Sequence, residues 1–248
     1  MDVTVAGPPL FLVAPGDLPA DVVTLSGPEG HHAAAVRRLR PAERADITDG
    51  AGTLAECVVI SVSKDSVVLE VRSVHAVPRP EPRITVVQAL PKGERAEIAV
   101  ELMTEVGVDS VIAWAAERSI TRWQGDRGER SLARWRATAR EAAKQSRRAW
   151  IPEITGPASL SDLAKPTSAA ATAIVLEADA TAPLSGVPLP DSGEIVLIVG
   201  PEGGISPKER ATLAEAGAIE ARLGPTVLRT STAGAAATAI LLSRTGRW

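Results

Sequence analysis

At 248 residues the chain has room for one large domain or two modest ones, each with its own core. Apolar residues make up 45%, but with one Phe, five Trp and no Tyr the core must rest on Val, Leu, Ile and Ala. The net charge of −3 gives no global attraction to a polyanion, and a single cysteine excludes both an internal disulfide framework and a thiolate zinc cluster. No apolar run approaches the ~20 residues of a membrane span, and no signal peptide precedes the first strand-like run. A soluble, cytoplasmic protein is expected.

The first third of the chain reads as short strands: "PLFLVA", "DVVTLSG", "RADITDG" and "LAECVVISV", then a turn at "SKDS" and "VVLEVRSV". The last two alternate apolar and polar residues around the turn, as a hairpin does. Cys57, inside the apolar run, reads as a small buried hydrophobe. Only "EGHHAAAVRRLR" is helical in pattern; its His31 and His32 read as turn or capping residues, and with His75 they make no metal site. A small β-barrel over residues 1–77 fits. Prolines 78, 80 and 82 then mark an extended linker over 78–82.

From 83 to 248 strands and helices alternate. "RITVVQAL" leads to a helix over 94–106, closed by Gly107. "SVIAWAA" precedes a long helix over about 129–150, and a short helix near 160–163 precedes "ATAIVLEA". Next come "EIVLIV", a helix signed by Ser206 as cap, Pro207, Glu209 and a closing Gly217, then "AIEARL" and a last helix starting near Thr230–Ser231. Such alternation predicts an α/β domain with a mainly parallel sheet covered on both faces, its ligands beyond the carboxyl ends of the strands.

Three strand ends deserve comparison. "IVGPEGGIS" carries Gly200, Pro201, Glu202 and Gly203; "RLGPTVLRTSTA" carries Leu223, Gly224, Leu228 and Ser231; "IVLEAD" ends in Leu176 and Glu177. The first loop lacks the lysine of a phosphate loop and the spacing of a dinucleotide fingerprint, and Glu202 at its crest repels phosphate. One reading is that these are the tight turns any α/β fold needs. The other is one concave site for a flat heterocycle, read by main-chain groups between apolar side chains. The small-residue face of "STAGAAATAILL" fits either close core packing or a partner subunit.

Residues 118–148 hold ten basic residues against three acidic ones, with Arg136, Arg140, Lys144 and Arg148 recurring every four residues. This is a solvated face or the footprint of a phosphate backbone. Arg37, Arg38 and Arg40 add a second basic patch beside the small barrel, which favours RNA.

Together these stretches resemble the RsmE family, the 16S ribosomal RNA uracil-N3 methyltransferases of the SPOUT superfamily. The resemblance rests on "HHAAAVRRLRP", "LPKGERAEIAVELMTEVGVDSVIAW", "ERSITRW", "RWRATAREAAKQSRRAWIPEI", "IVGPEGGISPKE" and "RLGPTVLRTSTA". It implies a PUA-like RNA-binding barrel, a methyltransferase domain whose C-terminal chain threads a trefoil knot, a homodimer, and S-adenosylmethionine as cofactor. The cofactor would lie against Leu176, Glu177, Gly200, Pro201, Glu202, Gly203, Leu223, Gly224, Leu228 and Ser231. The family usually carries an acid where Ser231 stands; serine there can still cap a helix.

Methylation at N3 requires an unpaired or flipped uracil that has lost its N3 proton, and Arg229 is the candidate to stabilise that anion. Lys92, Arg37, Arg38, Arg40, Arg118, Arg122, Lys144, Arg147 and Arg148 would guide 16S ribosomal RNA or the small subunit. No residue suggests itself as a general base. Three competing readings remain: a SPOUT ribose 2′-hydroxyl methyltransferase, a nucleotide-dependent α/β enzyme, and a non-catalytic RNA-binding module.

Overall fold

The structure, a computed structural model, describes residues 7–14, 16–18, 20–93 and 95–248, so Glu94 of the expected helix 94–106 lies outside the described residues. The chain divides into two units. One comprises the residues up to Arg79 together with Ala143–Ile151; the other comprises Pro80–Ala142 and Pro152–Trp248.

In the first unit β1 (Leu10–Leu12) and β2 (Val22–Leu25) precede a short helix α1 (Gly27–His31), which runs into a π-helical turn over His32–Val36. Strands β3 (Arg44–Thr48), β4 (Thr53–Val62) and β5 (Val67–Ala76) follow. They form one curled five-stranded sheet, a half-barrel in the order β1-β3-β4-β5-β2. β4 and β5 make the expected hairpin, bent by two register shifts. Alternation along β4 sends Ala55, Cys57 and Val59 inward to meet Phe11, Ile47 and Leu69. Burial pushes the Cys57 thiol up to about 12, so it is inert packing.

The excursion Ala143–Ile151 was invisible in the sequence division. Ile151 N–H donates to Gly50 O at 2.9 Å, Gly52 N–H to Ala149 O at 3.0 Å, and Trp150 Nε1 to Val77 O at 2.9 Å. Gly52 has φ +99° and no room for a side chain, since a Cβ would lie 2.2 Å from the Trp150 ring. These bonds also explain why the long helix, α3, spans Gly125–Gln145 and stops short of the expected 150. No Gly or Pro in "AAKQSRRAW" signals the stop; tertiary pairing of 149–151 imposes it.

The second unit begins with β6 (Arg83–Ala89), α2 (Arg95–Val106) and β7 (Ser110–Trp114), then α3 and β8 (Glu153–Ala158). There follow α4 (Leu160–Ala169), β9 (Thr172–Leu176), β10 (Glu194–Val199), α5 (Pro207–Glu215), β11 (Ile219–Ala221) and α6 (Thr230–Arg244). The six strands are all parallel, in the order β11-β9-β10-β6-β7-β8. β8 was not expected: its "EITGPA" hides a strand behind Gly-Pro, which an edge position tolerates. α4 is also longer than the helix expected near 160–163.

Alternate residues of the central strands face opposite sides. Ile84, Val86, Ile195 and Leu197 enter one core with Met103, Trp135 and Leu241, while Val87, Val196 and Ile198 enter another with Trp114 and Leu213. The small residues of α6 are accounted for within the chain. A Cβ on Gly234 would lie 2.8 Å from Met103 Sδ of α2, so the two helices meet backbone to side chain. Among the described residues no helix is long and apolar enough to cross a membrane.

Candidate active site

β10 lies between β6 and β9, with β11 beyond β9, so the carboxyl ends of these four strands adjoin at one edge of the sheet. A cavity of about 550 Å³ opens there, in the size range of small-molecule sites. It is bounded by Leu176 at the end of β9 and Glu177 just past it, by Gly200, Pro201 and Glu202 after β10, and by Leu223, Gly224, Leu228 and Arg229 after β11. Three loops far apart in sequence thus form one wall system, as the concave reading required.

The glycine loop is shaped by close contacts. A Cβ on Gly200 would lie 2.7 Å from Ile205 Cγ1, so only glycine fits without moving the loop. Gly203 faces away from the cavity lining; its missing Cβ would meet Arg118 at 3.2 Å. The loop ends in a full capping box. Ser206 Oγ accepts from Glu209 N–H at 3.3 Å, and Glu209 Oε2 accepts from Ser206 N–H at 2.9 Å. Glu209, only 3% exposed, also accepts from Glu117 N–H at 2.7 Å, and Ser206 Oγ donates to Glu117 Oε2 at 2.7 Å. The segment after β7 is thereby fastened to the start of α5.

Charge in the cavity is mixed. Lys92 and Arg95 reach it from the end of β6 and the first turn of α2, and they join Arg229 against Glu177 and Glu202. Burial raises the Glu177 carboxyl above its ordinary value, partly opposed by Arg210 at 3.9 Å. Arg210 is held in turn by a two-point pair with Glu220 at 2.7 and 2.6 Å. Arg95 was missed in the sequence, although it lies just past a strand end like the others.

Several expected residues have other places. Ser231 is buried in the first turn of α6, whose N-cap is Arg229, so it does not cap the helix. Arg118 donates to Gly203 O at 3.2 Å, and Arg122 to Ala116 O and Glu117 O at 2.8 Å each, so both brace the loops. Lys144 is the clear correction. It is 5% exposed and donates to Glu29 Oε1 at 3.0 Å, so the stripe through Arg136 and Arg140 ends in a buried ion pair. A four-residue spacing cannot show that a helix's last turn is covered. Arg37, Arg38, Arg40 and Arg147 are exposed and Arg148 half-buried, all in the first unit; exposed Lys92 belongs to the second.

Comparison with known proteins bears on both units. Residues 78–242 match the RNA methyltransferase domain family, and residues 25–72 match the RNA methyltransferase PUA domain family. Ribosomal RNA small subunit methyltransferase E of Mycobacterium tuberculosis is 46% identical over 231 residues, covering 92% of this chain and 88% of that protein. The Bacillus subtilis protein of the same name is 28% identical, covering 86% and 87%. Among solved structures, ribosomal RNA small subunit methyltransferase E from Neisseria gonorrhoeae bound to S-adenosyl methionine superposes with a TM-score of 0.81 at 27% identity, over 96% of this chain and 98% of that one. With its sheet order, its cavity of strand-end loops and these likenesses together, the chain belongs to the ribosomal RNA small subunit methyltransferase E family.

Proposed function

We propose that this protein methylates N3 of a specific uridine in small-subunit (16S) ribosomal RNA, with S-adenosylmethionine as donor. The observation that carries the reading is the single cavity formed by loops after β9, β10 and β11. Its residues suit the donor. Leu176, Leu223 and Leu228 offer apolar surfaces for a flat base, the loop backbones offer donors and acceptors, and Glu177 and Glu202 offer negative charge to a cation. The bound donor supplies an electrophilic methyl group carried on a sulfonium.

The chain's own residues supply the rest. Gly200, Pro201, Glu202, Gly203 and Gly224 shape the cradle, and Ser231 is buried in the first turn of α6, next to the cavity-lining Thr230. Arg229, aided by Lys92 and Arg95, favours the uracil anion left when N3 gives up its proton. The target must be unpaired or flipped, because pairing hides N3. The half-barrel unit binds RNA, and the parallel-sheet unit, whose C-terminal chain threads a trefoil knot, carries the methyltransferase site. Arg37, Arg38, Arg40, Arg147 and Arg148 guide the RNA. The enzyme works as a homodimer in the cytoplasm.

The test is incubation with labelled donor and small subunits lacking the modification, followed by nucleoside mass spectrometry. Label in 3-methyluridine supports the proposal. Label on a ribose 2′-oxygen would replace it with the SPOUT 2′-hydroxyl reading, and no transfer would remove the enzyme assignment.

A further inference from the structure

Outside the active-site cavity, the first unit holds a pocket of about 300 Å³ lined by Pro9, Phe11, His32, Arg37, Lys144 and Arg147 among others, with no carboxylate among the described residues of its wall. The acid nearest Lys144 is already engaged. Glu29 Oε1 accepts from Lys144 at 3.0 Å and Oε2 from Leu12 N–H at 3.3 Å. Asp46 lies within the field of Arg147, and burial raises its carboxyl above the ordinary value against the lowering effect of Arg44 and Arg147. Among the described residues the Arg37 and Arg147 guanidinium groups make no ion pair. Two exposed guanidinium groups around a polar hollow suit an anion with several acceptor oxygens.

The backbone at Arg147 sharpens the point. α2, α5 and α6 each end with a pair of bonds to the last turn and a left-handed residue between them. Val108 N–H reaches Met103 O, Ala218 N–H reaches Leu213 O and Arg247 N–H reaches Leu242 O. In those three exits the left-handed residue is Gly107, Gly217 and Gly246, at φ +112°, +94° and +70°. α3 ends in the same way, with Arg148 N–H on Ala143 O at 2.8 Å and Arg147 N–H on Lys144 O at 3.2 Å, but its left-handed residue is Arg147 at φ +57°. Glycine is the least strained residue there. An arginine in its place bears backbone strain and points its charge into the pocket.

Resting on the RNA reading above, we propose that this pocket is a phosphate site that holds one phosphodiester of the RNA substrate between Arg37 and Arg147. Lys144, fixed by Glu29, positions the segment that carries Arg147.

The test uses the full chain, a small-subunit ribosomal RNA transcript and a salt series read by fluorescence anisotropy, with Arg37→Ala and Arg147→Gly as variants. Each is expected to weaken RNA binding about tenfold and to lower the salt slope by about 0.7 to 1. Arg147→Gly should leave the melting temperature within about 2 °C of the parent or raise it, because glycine relieves the strain. Donor affinity, measured by calorimetry, should not change. Unchanged RNA affinity and slope in both variants, with the parent binding RNA, would overturn the pocket while leaving the RNA reading intact. A large fall in melting temperature on Arg147→Gly without loss of RNA would assign Arg147 a structural role and overturn it too. Saturable binding of inorganic phosphate that Arg37→Ala abolishes, with RNA binding untouched, would make it a small-anion site instead. A parent chain that binds donor but no RNA would overturn both readings.

Discussion

Glu209→Ala removes the carboxylate that joins the glycine loop to the segment after β7. The lost bonds are those from Ser206 N–H at 2.9 Å and Glu117 N–H at 2.7 Å. Loss of the capping box costs about 1 kcal/mol, and leaving a covered N–H without an acceptor costs about 1–3 kcal/mol. About 3 kcal/mol in all is expected, which for a chain of this size lowers the melting temperature by about 9 °C. Glu209→Gln keeps one amide oxygen as acceptor and should lose about 1 kcal/mol. Differential scanning calorimetry reads both. Because Ile205 lines the cavity and precedes the cap, donor affinity should fall with the Ala variant beyond what stability explains. An Ala variant that melts within about 2 °C of the parent would refute the idea that this buried carboxylate holds the loop.

Other consequences can be checked separately. Gly200→Val places branched carbons where even a Cβ would come 2.7 Å from Ile205 Cγ1; donor affinity should fall at least about tenfold while folding persists, as a close contact at a loop costs on the order of 1–3 kcal/mol. Burial raises the Glu177 pKa, so its negative charge appears later than usual as pH rises; calorimetric affinity for a cationic donor should climb through that raised value, and Glu177→Gln should flatten the profile. Cys57, with its thiol pushed up to about 12, should resist an aromatic disulfide reagent at pH 8 in the native protein and react at once in denaturant.

The parts of this fold that were legible in the sequence are those whose signals are local. The β4–β5 hairpin was marked by period-two alternation around "SKDS", and α5 by Ser206, Pro207, Glu209 and Gly217. The site was legible because parallel strands bind at their carboxyl ends, so Leu176, Gly200 and Leu223 could be grouped before their proximity was known. What escaped was tertiary. α3 stops at Gln145 because residues 149–151 pair with 50–52, far earlier in the chain. Lys144 sits in a regular basic stripe, yet its partner Glu29 lies 115 residues away in sequence. β8 was masked by Gly156 and Pro157, residues that weaken a strand unless it sits at an edge. Ser231 was misplaced by one turn chemistry, since the capping position falls on Arg229.

Calorimetric titration of the purified chain with S-adenosylmethionine, alongside NAD and ATP, tests the central claim most directly. One saturable site for S-adenosylmethionine, weakened by Gly200→Val and absent for the two phosphate-bearing nucleotides, is the predicted result. No heat from S-adenosylmethionine with or without RNA, or tighter binding of NAD or ATP, would contradict the account.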